Sequence, residues 1–270
     1  MDTWLDLPHV YGKSLFEGNP FPALPTLLPS ASDLVNLRLD DIPESGYISP
    51  EALVTCLAVL PRLSNLSIRS QLPISHHDRI LLLPETRIVL PRIPSMEFTA
   101  LHEYLEDFVA RVNTPQLKRL TIQYLDRLDF RVPQLSKFVN RLDLNLFRLG
   151  RARVCLEDMH KEVFSLCHEN TPLEPGLVIS VLGVGINQQV SRMPQVLGQI
   201  PFMLSDVIHL DIEAGTLLSY PQDDIAWVEL LHPFTALVTL RVSQELTESV
   251  ALALKGVTEA TDLPRLRLEV

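Results

Sequence analysis

The sequence predicts an α/β repeat protein, with a curved parallel sheet on the concave face of a solenoid and helices on its convex face. Three observations carry this reading: a strand-like pattern recurs nine times, helix-period stripes fill segments between copies, and prolines stand at a fixed distance ahead of several copies. Units of one strand and one helix cannot bury their apolar faces alone, so they stack.

The strand pattern is apolar-x-x-apolar-x-apolar. It reads LVNLRL from Leu34, LSNLSI from Leu63, IPSMEF from Ile93, LKRLTI from Leu117, VNRLDL from Val139, EPGLVI from Glu174, VIHLDI from Val207, LVTLRV from Leu237 and LPRLRL from Leu263. Successive copies start 29, 30, 24, 22, 35, 33, 30 and 26 residues apart, scattering around the roughly 20 to 29 of a leucine-rich repeat. The fourth and sixth positions are apolar throughout, from Leu37 and Leu39 to Leu266 and Leu268. Third and fifth positions are polar except in the sixth copy, where Gly176 and Val178 stand. Alternating side chains give each copy one buried and one wet face.

Helix signals come next. ISPEALVTCLAVLP offers Ser49 as N-cap, Pro50 at the first helical position, a stripe through Leu53, Leu57 and Leu60, and a stop at Pro61. Similar stripes run through LHEYLEDFVARV, QLSKFVNRL, LEDMHKEVFSLCH, DDIAWVELLH and ELTESVALALKGV. Pro61, Pro91, Pro115 and Pro172 each precede a strand copy by two residues and end the helix before it. The turn asparagine of regular leucine-rich repeats is absent. Its places hold Ile42, Gln71, Leu101, Leu125, Phe147, Leu182, Gly215 and Glu245, so an irregular arc is expected. One domain spans 1–270, with 1–32 an irregular N-terminal cap or broken repeat and 71–92 a loop excursion.

The formal net charge of −10 disfavours a nucleic-acid partner, which needs a concentrated basic face. Three scattered cysteines, Cys56, Cys155 and Cys167, form no disulfide framework and point to a reducing compartment. The start, MDTWLDLPHVYGKS, lacks the features of a signal peptide, and no apolar run approaches a membrane span. The expectation is an intracellular protein of cytoplasm or nucleus with no membrane contact.

Chemistry-bearing clusters read better as structure. His76, His77 and Asp78 suit a surface loop, and Cys155, His160, Cys167 and His168 fall in one predicted helix without a second ligand pair. GVGINQ from Gly183 lacks the third glycine of a dinucleotide loop. Asp40 with Asp41 and Asp223 with Asp224 sit at a strand end and a helix start. No nucleophile, base and pocket come together, so no catalytic residue, metal or cofactor is expected, and the chain is not read as an enzyme.

The segments DIPESGYISPEALVTCL, EYLEDFVARVNTPQLKRL and WVELLHPFTALVTLRVSQEL resemble the leucine-rich-repeat region of F-box-type proteins from mushroom-forming fungi. The resemblance runs from about Phe21 onward and implies a substrate-recognition role in a ubiquitin-ligase adaptor. In such proteins an N-terminal F-box binds the Skp1 adaptor of a cullin ligase. Here the residues before the first copy carry no F-box helical pattern, so the chain reads as the recognition half alone.

The polar strand face is the expected docking surface for a protein partner, because side chains of many repeats converge there. The candidate contacts are Arg38, Arg69, Glu97, Arg119, Arg141, Asp143, His209, Asp211, Glu213 and Arg241. Their two signs suit a protein. The alternative is a standalone or degenerate repeat scaffold with no ligase contact.

Overall fold

The repeat begins ahead of its strand, in a turn. The N–H of Leu63 donates to the Leu60 carbonyl, Leu117 to Thr114, Val207 to Leu204 and Leu237 to Phe234. Pro61 and Pro115 occupy the second place of two such turns, where the ring's fixed φ suits the backbone. A second bond recurs just after it. Ser64 and Asn65 N–H groups converge on the Val35 carbonyl, Lys118 and Arg119 on Pro94, Ile208 and His209 on Gly150, and Val238 and Thr239 on Ile208. This forked main-chain bond locks these four copies onto the strand beside them; the copy from Ile93 has Pro94 at the second place and no N–H to share.

The computed structural model describes residues 4–6, 32–40, 47–69, 87–100, 102–124, 132–142, 150–157, 161–168, 171–182, 193–215, 225–258 and 267–269. The chain divides into two compact units, residues 1–125 with 133–142 and residues 126–132 with 143–270.

In the first unit, strands β1 (Trp4–Asp6), β2 (Asn36–Asp40), β3 (Asn65–Arg69), β5 (Ser95–Ala100) and β7 (Arg119–Tyr124) lie side by side in parallel. The register matches the sequence copies position for position: Leu37, Leu66, Met96 and Leu120 form one row, and Leu39, Ile68, Phe98 and Ile122 the next. Both rows are buried. Phe98 packs on Phe108 with ring centroids 4.9 Å apart, joining sheet to helix.

Helix α1 (Pro50–Ala58) starts as its sequence predicts, with Ser49 Oγ accepting from Ala52 N–H at 3.2 Å and Pro50 at the first position. Helix α2 (His102–Arg111) follows β5 and is tied back when the buried Tyr104 hydroxyl donates to the Ile48 carbonyl at 3.2 Å. A short strand, β4 (Ile88–Val89), pairs with β6 (Val112–Asn113) in parallel, within the stretch read as an excursion. Helix α3 (Pro133–Arg141) has Val132 ahead of it, which cannot cap. Glu106 of α2 supplies the cap instead: its carboxylate accepts from Gln134 N–H at 2.7 Å and Leu135 N–H at 2.8 Å. Two orphan donors are thus satisfied in the interior.

In the second unit, β8 (Arg151–Glu157), β9 (Lys161–His168) and β10 (Thr171–Leu182) form an antiparallel meander. β11 (His209–Ala214), β12 (Thr239–Val242) and β13 (Arg267–Glu269) continue from β8 in parallel. A one-turn helix α4 (Pro201–Leu204) precedes β11, and helices α5 (Ile225–Leu231) and α6 (Thr247–Thr258) pack on each other.

Four sequence readings change. VNRLDL is not a strand from Val139: residues 139–141 finish α3, whose buried stripe is Leu135, Phe138 and Val139. The parallel copy lies ten residues later. Gly150 carries the forked carbonyl of the repeat, and Ala152 and Val154 fill the inward places beside Leu210 and Ile212. LEDMHKEVFSLCH is not a helix but parts of β8 and β9, because Val154 and Leu156, then Phe164 and Leu166, alternate inward with period two. EPGLVI is a strand within β10 but antiparallel, so it is no repeat copy, and the sheet is mixed where parallel pairing was expected. Pro172 falls inside β10 near a register shift.

Candidate functional site

On the polar face of the first unit, Asn36, Asn65, Ser95 and Arg119 form one row, Arg38, Ser67, Glu97 and Thr121 a second, and Asp40, Arg69, Thr99 and Gln123 a third, with Asn36 and Thr99 buried among them. Asn65 donates through its side-chain amide to Asn36, linking neighbouring copies. Arg38 Nε donates to Asp40 at 2.6 Å, a pair two residues apart and therefore on one face of one strand. The sequence-predicted Arg38, Arg69, Glu97 and Arg119 all stand on this outward face.

The second unit carries a denser charge pattern. Arg151, His209, Thr239 and Arg267 form one register row, and Arg153, Asp211, Arg241 and Glu269 the next. Each arginine of β8 reaches diagonally. Arg151 Nε donates to Asp211 at 2.8 Å, and Arg153 donates to Glu213. A diagonal partner lies within reach of a long side chain in a sheet, and two such pairs in sequence make a ladder. The hydrogen bonds that Arg151 and Arg153 donate to Asp211 and Glu213 hold both guanidinium protons more firmly than usual. Burial pushes the Cys167 thiol up, while a bond to Ser165 and the charges of Arg151 and Arg153 oppose it.

Arg241 is exposed and stands between Asp211 on one side and Glu269 on the other. Because Asp211 already bonds Arg151, Arg241 makes no ion pair among the described residues. The surface therefore combines a fixed ladder with an open cation beside it. It can take a carboxylate or carbonyl from a partner without first breaking its own pairs.

Of the sequence-predicted contacts, His209, Asp211, Glu213 and Arg241 come together on this face. Arg141 does not belong to any strand face. It ends α3, where Phe138 and Val139 turn inward and carry the helix past the supposed strand start. Asp143 lies outside the described residues. Sequence reasoning missed Arg151 and Arg153, although LGRARV from Leu149 fits the repeat pattern with a small Ala152 at the fourth place. Of the His and Cys clusters read as structural, Cys155 lies in β8 and Cys167 with His168 in β9, while His76, His77, Asp78 and His160 lie outside the described residues. No group of three metal-ligating side chains occurs among the described residues. No helix among them is long and apolar enough to cross a membrane.

No protein-family model matches the chain, and no curated protein matches it. Among solved structures the chain is similar to the leucine-rich repeat-containing protein LegL7 from Legionella pneumophila, at 13% identity and a TM-score of 0.37, over 91% of this chain and 68% of that one.

Proposed function

We propose that the chain is a protein-binding module of the leucine-rich-repeat type, a curved solenoid whose concave strand face receives the partner. The observation that carries this reading is the ladder from Arg151 to Asp211 and from Arg153 to Glu213, with Arg241 open beside it. Ordered charges of both signs on a rigid sheet select a partner by complementary charge and raise its association rate. The role is binding without catalysis, in cytoplasm or nucleus, with no resident cofactor. Its finer form is substrate recognition for an F-box-like ubiquitin-ligase adaptor, which the three fungal-type sequence blocks support. The alternative is a standalone scaffold with no ligase contact.

Quantitative mass spectrometry of proteins retained by the tagged chain tests this, with an Arg153→Glu/Arg241→Glu variant beside the wild type. Clients lost from that variant but kept by Val228→Ser on helix α5 are the expected result. Clients kept by the strand-face variant would contradict the proposal. Direct titration with purified Skp1 separates the two finer readings: binding supports the ligase adaptor, and its absence supports the scaffold.

A further inference from the structure

Away from the strand face, two arginines from distant parts of the first unit meet at the end of helix α2. Arg87 Nε donates to the Ala110 carbonyl at 3.1 Å, and an Arg141 terminal nitrogen donates to the Val109 carbonyl at 3.4 Å. These carbonyls belong to the last turn, which has no partners inside its own helix. The negative end of the helix attracts cations, but its effective charge is only about half an elementary unit. Two whole positive charges share it.

A third arginine at the same end behaves differently. Arg111 Nε donates to Asp107 at 2.8 Å and is neutralised within its own helix. Arg87 and Arg141 make no ion pair among the described residues, in a chain of formal net charge −10. Both residues are exposed. Partial desolvation against the protein first, and then the charge of Arg87, push the Arg141 guanidinium below its ordinary value. Arg141 also lies over the buried Phe138 ring, 5.8 Å from its centroid, which fixes its position. Val89, two residues from Arg87 and on the same side of the extended chain, is 53% exposed.

We propose that Arg87 and Arg141 form an anchor for an acidic peptide segment of a protein partner, one carboxylate bridging the guanidiniums and an apolar side chain resting on Val89. The geometry favours a carboxylate because each arginine has used only one donor on the helix end, and each keeps further N–H groups for an incoming anion. An adjacent apolar contact favours a peptide over a small inorganic anion. This anchor is separate from the strand face and shares with that reading only the protein nature of the ligand.

The test uses the full chain and a fluorescein-labelled peptide of sequence Glu-Glu-Val-Glu-Glu-Asp, followed by fluorescence anisotropy, with a Gln-for-Glu peptide as control. Arg87→Gln/Arg141→Gln keeps a donor for each carbonyl and removes both charges; circular dichroism checks that it folds. The expected result is binding of the acidic peptide that weakens about tenfold or more in this variant, the loss a charge-assisted contact carries. Arg151→Gln/Arg153→Gln on the strand face should retain the peptide. Absence of acidic-peptide binding, equal binding by the control peptide, or equal binding by the Arg87/Arg141 variant would each overturn the anchor. Loss confined to the Arg151/Arg153 variant would overturn it too and move the peptide to the strand face. Displacement of the peptide by inorganic phosphate at equal concentration would make the site a small-anion site, against the proposal.

Discussion

The two units obey one backbone rule and differ in what they insert between repeats. In the first, the copies from Leu34, Leu63, Ile93 and Leu117 follow one another directly, and each strand lies in register beside the next. In the second, a long antiparallel hairpin separates β8 from β11, yet Arg151 still faces His209 and Gly150 still accepts the forked bond. The lesson is that the turn and the forked carbonyl recur in both units, while the spacing between copies stretches. The outward faces differ as well: neighbouring copies are linked by an amide pair, Asn36 with Asn65, in the first unit and by cross-strand ion pairs in the second.

If the hairpin belongs to the core of its unit, an aromatic truncation in it should cost as much as one in the regular ladder. Phe98 and Phe164 are both fully buried. Phe98→Ala and Phe164→Ala should each lower stability by about 3–5 kcal/mol in urea unfolding. A small cost at Phe164 alone would make the hairpin an ornament on the second unit.

The next effect sharpens what holds the regular unit together beyond its sheet. Glu106→Ala strands two N–H donors at the start of α3 and should cost about 1–3 kcal/mol. Burial raises the Glu106 carboxyl above its ordinary value, outweighing the Gln134 and Leu135 hydrogen bonds and the charges of His102 and Lys137 that lower it. The folded state therefore holds this proton more tightly than the unfolded chain, so its contribution is full below the unfolded value and is lost as pH rises through the raised one. The wild-type stability curve should fall across that window, and Glu106→Ala should flatten that component.

A smaller effect follows for the helix whose cap was legible in the sequence: Ser49→Ala should cost about 1 kcal/mol by thermal melting. Smallest is the ion-pair ladder of the second unit. A double-mutant cycle on Arg151 and Asp211 should give a coupling of about 0.2–1 kcal/mol that shrinks with added salt, because the arginine is part exposed. A salt-independent coupling would contradict the account of this face as a surface network.

These contrasts also explain what the sequence disclosed. Strands β2, β3, β5, β7, β11 and β12 were legible because Leu, Ile, Met, Phe and Val at the fourth and sixth places are buried in the core of their own unit. Ser49 and Pro50 marked α1 correctly. The fifth copy was misplaced because Val139 and Leu142 satisfy a strand pattern and a helix stripe together, and only packing through Leu135 and Phe138 selects the helix. The β8–β9 hairpin was hidden for a related reason: Leu156, Val163 and Leu166 happen to fit a helical stripe. The site suffered accordingly. Asp211, Glu213 and Arg241 were found with their strands, whereas Arg151 and Arg153 were lost with the misread segment, and Arg141 was assigned to a face that it does not share. Glu106 as a cap for a helix 27 residues away leaves no local signal at all.

The central claim is that the strand face of the second unit is where a partner docks, and site-specific photocrosslinking tests it most directly. A benzophenone amino acid would replace Arg241 on the strand face or the exposed Leu252 on helix α6, in cells of the protein's own source. The account predicts a discrete crosslinked partner from position 241 and none from 252. A partner captured only from 252, or from neither position, would contradict it.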